Sequence, residues 1–124
     1  MQKLFLLSGA ILGGLGVAIG AFGAHTLKAM LETSGRTDTF ETAVRYQFYH
    51  ALALLFIGLL LFRVDSKLLH YSGNLMLVGT IIFSGTLYIL CMTGIKWLGA
   101  ITPIGGLLMI AGWVLLTMAI AKQL

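Results

Sequence analysis

His25 and His50 are the residues best suited to chemistry in this chain, each placed where an apolar run meets the first polar connection. His25 closes the first run, and His50 lies about two helical turns inside the second. Two imidazoles on neighbouring helices can ligate a haem iron axially or supply half of a tetrahedral metal site. Tyr46 and Gln47 fall on the same helical face as His50, Ala43 and Ala53, and later runs add Tyr88 and Trp113. A face made of His25, Tyr46, Gln47, His50, Tyr88 and Trp113 would suit haem, a metal or a small lipophilic ligand. The same side chains equally suit hydrogen bonding between packed helices. No Cys-x-x-Cys accompanies the pair, and His70 falls in the opposite connection. With the first helix running on to about Leu31, the two imidazoles could meet.

The elements that must position these residues are membrane helices. Of 124 residues, 59% are hydrophobic and 10% charged, against roughly 45–50% and 25% in a soluble domain. Four long apolar stretches, about 4–24, 43–62, 68–92 and 98–121, fill the chain. Each approaches or exceeds the roughly 20 residues that cross a bilayer as a helix. The expected fold is all-α, a four-span transmembrane helical bundle forming a single domain over 1–124, with a short amphipathic helical segment between spans one and two. A secretory signal peptide is the competing reading of the first run, but a signal h-region is roughly 7–15 residues and this run is longer. The lone Cys91 sits inside span three and reads as a small packing residue.

Glycines organise the first span. Gly9, Gly13, Gly16, Gly20 and Gly23 recur at spacings of four and three and fall within an arc of roughly 80° on a regular helix. Glycine costs about 1 kcal/mol against alanine in a helix interior, so the seam implies close approach of a neighbour. Gly14, Ala18 and Ala21, leading to His25, form a second small-residue stripe. Span three carries Gly73, Thr80, Ser84, Tyr88 and Cys91 along one stripe, and span four carries Gly99, Pro103, Gly106, Trp113 and Thr117 at heptad-like spacing.

In the first connection Leu27, Met30 and Leu31 share one side, Lys28 and Glu32 are spaced as an i, i+4 pair, and Gly35 is a suitable stop. Asp38 followed by Glu41 resembles a capping box, and Glu41 and Arg45 form a second i, i+4 pair. Trp97 beside Lys96 reads as an interfacial anchor. Thr102–Pro103 reads best as an N-cap and first residue of the last helix, the other reading being a Pro kink in a helix that begins near Leu98. Lys3, Arg63, Lys67 and Lys122 on one side balance Lys28, Arg36, Arg45 and Lys96 on the other. Orientation therefore rests on the first helix, whose Lys3 favours both termini inside.

None of the four carboxylates lies inside an apolar span, which argues against an ion-coupled antiporter. No nucleophile motif or phosphate loop appears, so no enzymatic activity is expected. The net charge of +4 suits anionic headgroups, and no basic cluster is dense enough for nucleic acid. The expectation is a protein that acts by helix packing with itself as a homo-oligomer, with the lipid bilayer or with a membrane-protein partner. Ligand binding on the His/Tyr/Gln face is the alternative, and passive conduction of a small solute ranks last.

GAFGAH (Gly20 to His25), TAVRYQFYHALALL (Thr42 to Leu55), SGTLY (Ser84 to Tyr88) and LGAITPIGG (Leu98 to Gly106) together resemble the domain of unknown function 423 family. That family comprises small bacterial inner-membrane proteins, to which the eukaryotic transmembrane protein 256 looks related. The resemblance implies a four-helix multi-pass protein of the cytoplasmic membrane. It implies no activity, cofactor or catalytic residue.

Overall fold

The computed structural model describes residues 1–124 as five helices: α1 (Gln2–Ala24), α2 (Lys28–Ser34), α3 (Thr37–Leu60), α4 (Lys67–Thr93) and α5 (Leu98–Gln123). Four of them, α1, α3, α4 and α5, are long and apolar enough to cross a membrane. The protein is thus all-α, with the short α2 lying between the first two spans.

Helix α1 packs antiparallel along α3, α5 packs antiparallel along α4, and α3 against α4 joins the two pairs. This order leaves α1 the least buried span and α3 the most. The main apolar core lies towards the end of the bundle that holds both termini. It gathers Phe5, Leu54, Ile57, Leu69, Met76 and Leu116. A smaller cluster of Leu31, Phe40 and Cys91 seals the other end beneath α2.

Close approach along the two antiparallel pairs depends on missing side chains. A Cβ on Gly9 would stand 2.8 Å from the carbonyl oxygen of Ala51, and one on Gly105 would stand 2.7 Å from that of Gly79. Gly16 and Gly23 admit the rings of Phe48 and Phe40. The seam is not continuous, because a Cβ on Gly13 would meet nothing within 4 Å.

Several expectations change. α1 does not run on to Leu31: it ends at Ala24, and a turn over residues 25–27 restarts the chain as α2. Lys28 and Glu32 make no ion pair, whereas Arg45 and Glu41 do, at 3.3 Å. Gly35 closes α2 in the left-handed conformation, φ 70°. Arg36, not Asp38, precedes the first residue of α3, and no side chain caps that end. α5 begins at Leu98 and holds Pro103 inside it, so Thr102 is not its cap. Its packing face is Leu98, Thr102, Gly105, Met109, Gly112, Leu116 and Ala119. The stripe of Gly99, Pro103, Gly106, Trp113 and Thr117 is turned about 100° away from it, one residue on a helix. Gly106 makes only ordinary contact with Phe83, 3.8 Å from a Cβ.

Candidate functional site

The polar side chains of the spans converge on α3. Gln47, only 2% exposed, donates from Nε2 to the carbonyl oxygen of Leu12 on α1 at 2.8 Å and accepts at Oε1 from the Tyr88 hydroxyl on α4 at 2.6 Å. One buried amide therefore ties three helices together. Ser84 on α4 donates to the Ala43 carbonyl oxygen at 2.7 Å, one turn of α3 further out.

His50 is buried one turn deeper. Its Nδ1 lies 2.7 Å from the carbonyl oxygen of Tyr46, and its Nε2 lies 3.0 Å from the indole nitrogen of Trp113 on α5. A carbonyl only accepts and an indole N–H only donates, so the imidazole must be neutral with its proton on Nδ1. Both ring nitrogens are then occupied. The indole and imidazole rings meet edge-on at 5.8 Å.

The six candidate residues fall into three groups. Gln47 and Tyr88 bond each other; His50 and Trp113 bond each other beside Tyr46; His25 stands alone. Tyr46 does not face inward as expected: it is 40% exposed and lies over Phe83 at 4.9 Å between ring centroids. Its contribution to the His50 bond is its backbone carbonyl. His25 closes α1 at the exposed surface and borders a shallow cleft with Ala18, Ala21, Phe22 and Thr26. α1 stops at Ala24, with His25 exposed just beyond its end, whereas His50 is buried with both ring nitrogens bonded, to Tyr46 and Trp113.

The α4–α5 interface carries its own bonds, which the sequence reading missed. Ser72 donates to the Gly112 carbonyl oxygen at 2.6 Å, and the Thr86 and Thr102 hydroxyls share a bond at 2.6 Å. The small residues spaced along both helices carry the signal for them, on a face of α5 one residue away from the Gly99–Gly106 stripe.

Clefts border this network. One of about 200 Å³ lies over Gln47, Thr80, Ser84 and Tyr88, flanked by Leu12 and Ile19 of α1. A wholly apolar one of about 240 Å³ continues along Ile19 and Tyr88 to Phe22, Leu27, Phe40 and Met92. A third, of about 290 Å³, opens on another flank of α1, between Gly20 and Gly23, Phe40 and Val44, and the Glu41–Arg45 ion pair.

A family model described as a protein of unknown function, DUF423, matches residues 19–106. The chain belongs to the DUF423 family. Among its relatives, a UPF0382 membrane protein of Staphylococcus haemolyticus is 46% identical over 121 residues, 98% of each chain. The UPF0382 membrane protein YwdK of Bacillus subtilis is 40% identical over 124 residues, covering 99% of this chain and all of the relative. A UPF0382 membrane protein of Staphylococcus aureus strain USA300 is 47% identical over 121 residues. No solved structure matches the chain. With relatives named as bacterial membrane proteins and four spanning helices, this DUF423 chain is a multi-pass protein of the cell membrane, of unknown function. The DUF423 match contains the whole Gln47–Tyr88–Ser84 cluster and His50 but ends before Trp113.

Proposed function

We propose that this DUF423 protein is a non-enzymatic membrane component that works by helix packing, with a second copy of its own chain as the partner. The observation that carries the reading is the outer face of α1. Ala10, Gly14, Ala18 and Ala21 are all exposed there, at spacings of four, four and three, and a Cβ on Gly14 would meet nothing within 4 Å. In a bilayer, small residues at such spacing let two helix backbones approach closely. Copies inserted in the same direction present this stripe to each other in parallel, giving a two-fold contact whose two halves are identical. The absence of catalysis is supported by where the polar groups point: Gln47, His50, Ser72 and Ser84 all bond backbone carbonyls, three of them on another helix.

A second reading, binding of a small lipophilic molecule, is favoured by the cleft over Gln47 and Tyr88, which α1 and α4 leave between them. Native mass spectrometry of protein taken directly from membranes checks both readings. A dimer that Gly14→Leu converts to monomer supports self-packing; a monomer in every mild detergent, with no self-crosslink in native membranes, overturns it. A retained non-lipid small molecule, lost on Gln47→Leu, would support the second reading.

A further inference from the structure

We infer that the cleft beside the Glu41–Arg45 pair is a binding site for one phospholipid with a zwitterionic headgroup, its phosphate on Arg45 and its ammonium on Glu41. The cleft lies on a different flank of α1 from the outer small-residue stripe, so the inference is independent of self-association. Three features support it.

The first is the order of groups along α3. A phosphoethanolamine-type lipid presents, from its end inward, an ammonium, a phosphate and then acyl chains. Glu41 stands one turn nearer the start of α3 than Arg45, about 6 Å further out at 1.5 Å per residue. The apolar lining of Gly20 and Val44 lies at the level of Arg45. The two charges thus follow the order of ammonium and phosphate in the lipid, with the apolar lining of Gly20, Gly23, Phe40 and Val44 flanking both.

The second is that the ion pair opens readily. Glu41 and Arg45 make a single contact at 3.3 Å with side chains 51% and 60% exposed, and such exposed pairs contribute little in water. Inserting a zwitterion between them replaces one ion pair by two. Arg45 can also hold phosphate through two N–H groups at once.

The third is the size of the cleft and the open helix surface below it. Gly13 lies two turns inward from Gly20 on the same face of α1, and no protein atom occupies the place of its missing side chain. No helix of this chain fills that position, which leaves it open to an acyl chain lying along α1. A cleft of about 290 Å³ lies just under the roughly 300–1,000 Å³ range of ligand sites. It takes a headgroup and the first methylenes, and the chains continue into the bilayer.

The test is native mass spectrometry of the full chain released from micelles holding equimolar phosphatidylethanolamine and phosphatidylglycerol of identical acyl chains. Retention of the ethanolamine lipid is expected to exceed that of the glycerol lipid by about threefold or more. Glu41→Gln should bring the ratio to near one, and Arg45→Gln should lower retention of both. The exchanged pair, Glu41→Arg with Arg45→Glu, keeps net charge and ion pair but inverts their depth, and should lose the preference as Glu41→Gln does. Lys96→Gln, on another connection, should leave it unchanged. Equal retention by the native protein, or a preference that survives the exchange, overturns the proposal. Competition by free phosphoethanolamine as strong as that by the lipid overturns the lipid assignment in favour of a soluble headgroup.

Discussion

The indole N–H of Trp113 on α5 donates to Nε2 of His50 on α3 across 3.0 Å, while the Nδ1–H of the same imidazole is held by the Tyr46 carbonyl. This one bond fixes the tautomer of the most deeply placed histidine, ties α5 directly to α3, and consumes the lone pair that a metal would need. His50 in this structure is a structural cross-link.

Trp113→Phe keeps the ring but removes the donor, leaving a buried imidazole nitrogen without a partner. A loss of about 1–2 kcal/mol in stability is expected, in line with hydrogen bonds between membrane helices and the cost of an unsatisfied buried acceptor. Reversible unfolding in mixed micelles measures it. Added haemin should give native protein no low-spin bis-histidine spectrum, and the appearance of one would show that the His50–Trp113 bond yields to a ligand.

Gln47→Leu should destabilise the protein more than Tyr88→Phe. The first change strips the Tyr88 hydroxyl of its acceptor and α1 of its only side-chain bond from the middle of α3. The second removes one donor and leaves the amide bonded to Leu12. The two changes together should be less harmful than their sum, with a coupling of about 0.6–1.7 kcal/mol in a double-mutant cycle.

Gly105→Ala and Gly106→Ala, adjacent on α5, should separate sharply. A methyl at position 105 meets the Gly79 carbonyl oxygen at 2.7 Å and must push two backbones apart. One at position 106 meets the Phe83 ring at 3.8 Å, ordinary contact. The first should lower the free energy of unfolding by about 1–3 kcal/mol, as overpacking does. The second should be neutral or slightly stabilising through helix propensity.

Ala18→Cys in a Cys91→Ser background should form an oxidant-dependent dimer in native membranes, since Ala18 lies on the exposed stripe while Cys91 is buried. Leu107→Cys, also exposed, on α5, should not. Crosslinking of both at the same yield would signal random collision and sink the two-fold contact through α1.

Composition and run length alone determined the class of this protein: spans of this length with so few charges must cross a bilayer, and the backbone must satisfy itself as helix there. The α2 segment and its Gly35 stop were legible for a local reason, because only glycine takes the left-handed turn without strain. That Gly9, Gly16 and Gly23 meet a neighbouring helix was legible too, since a seam without side chains has few uses in a membrane; that the neighbour is α3 came from the tertiary structure. Which face of a helix turns inward was another matter. In α5 two small-residue stripes, one through Thr102 and Gly105 and one through Pro103 and Gly106, run side by side, and the helix is apolar all round. With lipid as apolar as the core, hydrophobicity does not choose between them; the match to Gly79, Phe83 and Thr86 on α4 does. The candidate site was divided by the same kind of contact. The sequence supplied His25, Gln47, His50, Tyr88 and Trp113 as polar groups in apolar surroundings, and polar groups there must find partners. The break after Ala24, and the distances between helices far apart in the chain, decided who pairs with whom: Gln47 with Tyr88, His50 with Trp113, and His25 with neither.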